Sequence, residues 1–154
     1  MPNDIRSIIS GRAAPAFVQV AALCLQQGKS GLEVLLVKTL RTGGWVIPKG
    51  WPMPGKTLSE AAAIEAWEEA GATGKIESNP IGSFSYTKIR SSGFPVQCRA
   101  QVFLMKRAET TKDYPEADKR TRQWTRLDTA ATMVRDPELA DLLTGLENAP
   151  PKGC

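Results

Sequence analysis

Residues 50–72 of this chain read GWPMPGKTLSEAAAIEAWEEAGA, with three glutamates gathered towards the end of the segment. Glu65, Glu68 and Glu69 stand at positions i, i+3 and i+4, just before Gly71. At about 100° per residue, a helix projects all three carboxylates within a wedge of roughly 100°. Like charges at these spacings repel each other, and negative charge is unfavourable in the last turn of a helix. Because a bound divalent cation would reverse both penalties, the segment predicts a metal site.

A solvated acidic helix end is the alternative interpretation of the same glutamates. Such a face normally carries lysine or arginine between the acids, yet no cation lies three or four residues from any of these positions. The preceding residues also favour a site, because residues 45–50 read as a short strand followed by a stiff loop with two prolines and a glycine. The helix is predicted over residues 58–70, with Thr57 or Ser59 as its N-cap and Thr57 with Glu60 as a capping box.

This arrangement resembles the signature of the Nudix hydrolase family, G-x5-E-x7-R-E-U-x-E-E-x-G-U, where U is a bulky aliphatic residue. The chain meets five positions of the signature at the required spacings: Gly50, Glu65, Glu68, Glu69 and Gly71. Small alanines, Ala66 and Ala72, occupy the two U positions, while Lys56 replaces the early glutamate and Ile64 replaces the arginine. In the family that arginine commonly orients the helix through a salt bridge. We therefore interpret Ile64 as an apolar replacement that packs into the core.

The resemblance implies an α/β fold, namely the Nudix α/β/α sandwich around a mixed β-sheet, and metal-dependent hydrolysis of a phosphoanhydride bond. It implies that Glu65 and Glu69 hold metal ions, with Glu68 close by and the carbonyl of Lys49 as a backbone ligand. Hard oxygen ligands favour Mg²⁺ or Mn²⁺ over Zn²⁺. The chain also contains no histidine, which excludes a Ser-His-Asp triad and every histidine metal motif.

The resemblance leaves the identity of the general base open. Family members take the base either from the signature glutamates, which are thus candidate catalytic residues as well as metal ligands, or from a later acidic residue. Glu116 is the favoured late candidate, and Glu109 and Asp118 compete with it.

Composition favours an anionic partner, because the formal net charge is +4 and the pI is about 9.1. The basic residues are spread along the chain without a nucleic-acid motif, so a phosphorylated small molecule is favoured over nucleic acid. Four residues are candidates for phosphate contact: Lys49, Lys88, Arg90 and Arg99. Ordinary exposed charge is an equally good interpretation of all of these except Lys49.

The region after the signature bears on the substrate. Glu116 is followed by Arg120, Arg122 and Trp124, and this tail is similar to the branch that contains diphosphoinositol polyphosphate and diadenosine polyphosphate hydrolases. Substrates of those two types are therefore favoured. ADP-ribose and nucleotide sugars are alternatives that would use stacking surfaces such as Trp45, Trp51 and Phe84. A Nudix-fold sensor that binds a nucleotide or phosphorylated metabolite without hydrolysis is a further alternative, motivated by Lys56 and Ile64.

The 154 residues, 42% of them hydrophobic, predict one domain over residues 15–147 with flexible ends at residues 1–14 and 148–154. No apolar run reaches the ~18 residues that a membrane span needs, and the first residues lack a secretory h-region. A cytoplasmic location is therefore expected. Cys24 and Cys98 are interpreted as reduced core residues, and Cys154 lies in the tail. The oligomeric state stays open between a monomer and a homodimer.

The coarse secondary structure follows from periodicity and turn residues. Strands are predicted over residues 17–25, 33–38, 45–47 and 95–105, with further strand between residues 74 and 89 and a hairpin turn at Ser91-Ser92-Gly93. Asp128 and Asp136 are predicted to open two short helices, the second with proline at its first position.

Overall fold

The computed structural model describes residues 17–40 and 42–154, and the predicted tail at residues 1–14 lies outside them. Within the described residues the strands are β1 Phe17–Gly28, β2 Gly31–Lys38, β3 Trp45–Val46, β4 Lys49–Gly50, β5 Ala72–Ile76, β6 Gly82–Ile89, β7 Pro95–Thr110 and β8 Arg122–Arg126. The helices are α1 Leu58–Ala70, α2 Leu127–Met133 and α3 Pro137–Asn148. Helix α1, which carries the three signature glutamates, thus begins and ends at the predicted residues.

All eight strands belong to one mixed sheet with the order β3-β2-β1-β7-β5. Strand β8 pairs with β2, β4 pairs with β1, and β6 pairs with β7. The central strands β1 and β7 run parallel, from Phe17 opposite Cys98 to Cys24 opposite Met105, and the other pairings are antiparallel. Strands β6 and β7 form the predicted hairpin around residues 91–93.

The helices cover opposite faces of this sheet. Leu142 of α3 fills the space where a Cβ on Gly82 would point, and Glu65 of α1 fills the corresponding space at Gly50. Gly82 is opposite Val102 of β7, which is opposite Ala21 of β1, whereas Gly50 is directly opposite Val20 of β1. Neighbouring residues of one strand face opposite sides of a sheet. The predicted α/β/α arrangement around a mixed sheet is therefore confirmed.

Local signals fix both ends of α1. The Thr57 hydroxyl accepts a hydrogen bond from the Glu60 N–H at 3.1 Å, and the Glu60 carboxylate accepts one from the Thr57 N–H at 2.8 Å. The predicted capping box is thus confirmed. The helix ends at Gly71, whose φ of +63° lies in the left-handed region that favours glycine. Its N–H donates to the Trp67 carbonyl at 2.9 Å and closes the last turn.

A stripe of alanines lets α1 lie close to the sheet. Ala61, Ala62, Ala66 and Ala70 are all fully buried in the core. Ile64 is only half-buried, and it is absent from the hydrophobic side chains of the described residues that pack against this core. The prediction that Ile64 replaces the family arginine by packing into the core is therefore wrong.

The C-terminal helices differ in detail from their predicted starts. Helix α2 follows Arg126, so Asp128 lies in its first turn and not at its N-cap. Helix α3 begins at Pro137 after Asp136, as predicted, but the Asp136 side chain makes no capping hydrogen bond with any described residue. Cys24 and Cys98 are buried thiols. No helix of residues 17–40 and 42–154 is long and apolar enough to cross a membrane.

Candidate active site

Strand β4 positions two of the signature glutamates. A side chain at Gly50 would overlap the carboxyl group of Glu65, so glycine is needed for α1 to approach the strand here. Next along β4, the Lys49 N–H donates a hydrogen bond to Glu69 Oε1 at 3.3 Å. The two carboxylates are therefore held against the two residues of one short strand.

The C-terminal end of α1 is held by a cation from β8. Arg122 Nη1 donates a hydrogen bond to the Ala70 carbonyl at 2.7 Å, and its guanidinium lies 4.6 Å from the centre of the Tyr114 ring. A side chain at Gly71 would overlap that ring and the arginine. Positive charge at a helix C-terminus is favourable, so Arg122 offsets the acidic last turn. The sequence spacing within the helix could not reveal this partner.

The loop between β7 and β8 brings a second arginine to the glutamates. Arg120 Nε donates to Glu116 Oε1 at 2.6 Å, and its Nη2 lies 3.7 Å from Glu69 Oε2. The Glu116 N–H donates to the Glu68 carbonyl at 3.0 Å, which docks the loop on the last turn of α1. Of the three late acidic candidates, Glu116 lies beside the signature glutamates, whereas Glu109 and Asp118 are exposed.

Electrostatics at this site favour an added cation. Burial, and then the charges of Glu69 and Glu68, raise the pKa of Glu65 to about 8. Burial also raises the pKa of Glu69, although Arg120 and Lys49 oppose the shift. Two adjacent carboxyl groups that both resist ionisation form a donor set suited to a hard divalent cation.

The third glutamate does not complete a ready-made metal site. In the described part of the chain, acidic and cysteine side chains form no group of three or more that could hold a metal ion. Glu69 instead contacts Arg120 and accepts a hydrogen bond from the Lys49 amide. Glu65 and Glu69 fit the predicted cation as a pair, and ligation by Glu68 or by the Lys49 carbonyl stays a prediction.

A cleft of about 320 Å³ opens beside Glu69. Its polar lining includes Gln19, Lys49, Tyr86, Lys88 and Arg120. The ammonium of Lys49 lies 4.7 Å from the centre of the Tyr86 ring, and burial lowers the pKa of Lys49 while Glu69 opposes the shift. An adjoining pocket shares Lys49 and Tyr86 and adds Arg135 and Asp136. A half-buried cation, Lys49, therefore lies where the two pockets meet.

The other predicted phosphate contacts divide into two groups. Lys88 lines the cleft and also a shallower pocket with Trp51 and Arg90, where the Arg90 guanidinium lies 5.8 Å from the centre of the Phe17 ring. Arg99 is absent from the described cleft lining, and its Nη1 donates to Ser83 Oγ at 2.9 Å.

Strand register explains the position of Arg99. This residue is opposite Val18 in β1, whereas its neighbour Ala100 is opposite Gln19, which lines the cleft. Because neighbours in a strand face opposite sides of the sheet, Arg99 points away from the cleft. Its predicted contact with substrate phosphates is not supported by this position. Phe84 is also fully buried, which corrects its interpretation as a stacking surface.

Sequence reasoning missed four residues of the site: Arg120, Gln19, Tyr86 and Asp136. Gln19 did leave a signal, because it is a polar residue within the apolar segment FVQVAALCL. Arg120 also stands four residues after Glu116, the spacing of a helical ion pair. Asp136 was assigned only a capping role, but its side chain borders the adjoining pocket.

Known proteins resemble this chain in sequence. Nudix hydrolase 12, mitochondrial, from Arabidopsis thaliana is 34% identical over 110 residues, which cover 68% of this chain and 53% of that protein. Diphosphoinositol polyphosphate phosphohydrolase 3-alpha from Mus musculus is 28% identical over 120 residues, covering 76% of this chain and 68% of that protein. This chain spans only 53% to 63% of the length of five matched Nudix hydrolases of Arabidopsis thaliana.

Similarity extends to the fold and to most of the chain. The Ap4A hydrolase of C. elegans superposes with a TM-score of 0.60 at 19% identity, over 87% of this chain and 98% of that chain. The profile of the NUDIX domain matches residues 16–143, a range that contains β4, α1 and the glutamates held between them. The chain therefore belongs to the Nudix family.

Proposed function

We propose that this protein is a Mg²⁺- or Mn²⁺-dependent pyrophosphohydrolase that cleaves a phosphoanhydride bond in a nucleoside diphosphate derivative or a related polyphosphate. One observation carries the proposal. The carboxyl pair of Glu65 and Glu69, which resists ionisation, adjoins a cleft lined by Lys49, Lys88 and Arg120. Cations for an anionic substrate and acids for a metal are thus adjacent.

The residues have distinct roles in this proposal. Glu65 and Glu69 would hold the metal, with Glu68 and the Lys49 carbonyl as further ligands. When bound, Mg²⁺ or Mn²⁺ would neutralise the diphosphate and activate a water for in-line attack. Glu116 is the proposed general base, because its carboxylate lies beside Glu65 and Glu69 and is oriented by a hydrogen bond from Arg120 Nε at 2.6 Å.

The cleft favours a substrate with several adjacent phosphates. Lys49, Lys88 and Arg120 line it together, and Arg90 extends the positive charge towards the pocket at Trp51. A diphosphate linking two sugars needs fewer cations. We therefore favour diadenosine polyphosphates and diphosphoinositol polyphosphates, the substrate types named in two of the similar proteins, over ADP-ribose and nucleotide sugars.

The exposed aromatic pair offers a way to separate the two favoured types. Phe17 and Trp51 are both exposed, and their rings contact edge to face with centroids 6.4 Å apart. Trp51 also lines the shallower pocket that contains Lys88 and Arg90. A nucleobase can stack on such a surface, but an inositol ring has no π-face to offer. Replacing Trp51 with Ala should therefore raise the KM for diadenosine tetraphosphate and leave the KM for a diphosphoinositol polyphosphate unchanged.

The test of the reaction is a panel of anhydride substrates with Mg²⁺ and Mn²⁺, with the products resolved by chromatography. Glu69→Gln keeps the shape of the side chain and removes a charge, so kcat should fall by at least ~10²-fold. Glu147→Gln is the matched control, because Glu147 is exposed in α3, on the other face of the sheet from α1, and is outside the cleft lining. Full activity in Glu69→Gln would sink the catalytic assignment.

A sensor that binds without hydrolysis is the second candidate, and the departures at Lys56 and Ile64 favour it. The same panel separates the two, because a sensor would bind a substrate in calorimetry and release no product. We further predict a cytoplasmic location, which fractionation of the source cells would check.

A further inference from the structure

Gln19 carries an unused hydrogen-bond donor at the cleft. The residue is 1% exposed near the start of β1, and it lines the cleft together with Lys49. Its Nε2 is buried and has no hydrogen-bond partner among the residues that the structure describes. A buried amide donor without a partner is costly, so a ligand atom that accepts this hydrogen bond would remove a penalty built into the fold.

Tyr86 fixes the orientation of this amide. The Tyr86 hydroxyl donates a hydrogen bond to Gln19 Oε1. With Oε1 engaged in this way, the carboxamide has only its NH₂ group left to offer a ligand.

The surrounding charges indicate what that ligand is. Lys49, Lys88 and Arg120 line the same cleft, so an oxygen that reaches Gln19 lies in a positive field. These three cations already repel one another within one cleft, so another cation at position 19 would add to this repulsion. A neutral donor contributes a further contact to an anion without that cost.

We propose that Gln19 Nε2 and Lys49 Nζ together bind a non-bridging phosphoryl oxygen of the substrate, and that Gln19 is a specificity-determining residue for polyphosphate chains. The proposal rests on the proposed function in one respect, namely that this cleft receives the substrate. It adds a neutral donor from β1 to the cations of the cleft. It also gives Gln19, oriented by Tyr86, a role in binding the substrate.

The experiment measures binding of inorganic triphosphate by calorimetry in EDTA, so that neither metal nor turnover is required. Gln19→Glu replaces the donor with a carboxylate of the same shape, and Gln19→Met removes all hydrogen bonding at similar volume. Gln101→Glu is the matched control, because Gln101 is opposite Val20 in β1 and therefore faces the other side of the sheet. Circular dichroism and thermal melts establish that each variant is folded.

Wild-type protein should bind triphosphate, and Gln19→Met should weaken binding by about tenfold, the scale of one hydrogen bond to a charged group. Gln19→Glu should weaken binding further, because its carboxylate repels the anion, and Gln101→Glu should bind like wild type. Equal binding by wild type and Gln19→Met, or no binding by wild type, would overturn the proposal. Adenosine serves as the second probe. If the Gln19 variants lost adenosine binding but kept triphosphate binding, the proposal would also be overturned, because the Gln19 amide would then bind a base.

This outcome is independent of the test of the reaction. Absence of hydrolysis over the substrate panel would remove the proposed enzyme and leave the triphosphate site standing. Hydrolysis with unchanged triphosphate binding in Gln19→Met would keep the enzyme and remove the site.

Discussion

Protonation of Glu65 should control metal binding. A carboxylic acid must lose its proton before it can bind a metal ion, and the pKa of Glu65 is raised to about 8 by burial and by the charges of Glu69 and Glu68. For that pKa the ionised fraction, 1/(1 + 10^(pKa − pH)), is about one half at pH 8 and about one hundredth at pH 6. The apparent affinity for Mn²⁺ should therefore fall about fifty-fold from pH 8 to pH 6.

Calorimetric titration of Mn²⁺ at pH 6, 7 and 8 measures this change. Repeating each titration in two buffers of different ionisation enthalpy counts the protons released on binding. Glu65→Gln should bind more weakly and lose most of the pH dependence, whereas Glu147→Gln should behave like wild type because Glu147 is exposed in α3, on the other face of the sheet. An equal Kd for wild type at pH 6 and pH 8 would refute the linkage between metal and proton at Glu65.

The same shift predicts how the stability of the metal-free protein depends on pH. Folded Glu65 holds its proton up to about pH 8, whereas the unfolded carboxyl ionises near its ordinary value of 4.5. The folded state binds more protons between these values, so the free energy of unfolding should fall as the pH rises through this window. Glu69 shifts in the same direction. In EDTA the Tm should be lower at pH 8 than at pH 5.5, and Mg²⁺ should raise the Tm more at pH 8. The opposite order would contradict the assigned pKa shifts.

Three substitutions test the remaining contacts. Arg120→Ala removes the partner of Glu116 and Glu69, so urea unfolding should show a loss on the order of 1–3 kcal/mol, and an unchanged stability would show that the pairing contributes nothing. Ile64→Arg should cost less than ~1 kcal/mol, because a half-buried residue away from the core can direct its charge to water; a loss of several kcal/mol would restore the buried interpretation. Lys88→Ala should raise the KM for a polyphosphate more than Arg99→Ala does, most clearly at low salt, and equal effects would contradict the register of β7.

Local features of this protein could be predicted from its sequence, while features that depend on strand register could not. Helix α1 has the predicted bounds because Thr57, Glu60 and Gly71 carry the signals for its two ends within the segment itself. Arg99 was predicted to contact phosphate on charge alone, but a shift of one residue in a strand reverses the face on which a side chain lies. Gln19 could be recognised as a site residue only from its burial and from its contact with Tyr86, which comes from a distant strand.

Cations present a similar contrast. The spacing in α1 established that no cation lies within helical reach of the glutamates, and this favoured a metal site. The fold then brings Arg120 from the loop before β8, and the Lys49 amide from β4, to Glu69. These contacts satisfy part of the negative charge in the absence of metal. The sequence therefore predicted which acids are adjacent, but the partners of those acids come from segments whose position only the tertiary structure defines.

The departure at Ile64 can be explained by these same contacts. The resemblance implies that an arginine at the position of Ile64 would orient the helix through a salt bridge. Here the restraint comes from the segment before and within β8, because Arg122 binds the Ala70 carbonyl at 2.7 Å and the Glu116 amide binds the Glu68 carbonyl at 3.0 Å. Both bonds act on the last turn of α1, which carries Glu68 and Glu69. A helix held at that turn can present its carboxylates without the arginine, so the loss of the arginine is compatible with a working metal site.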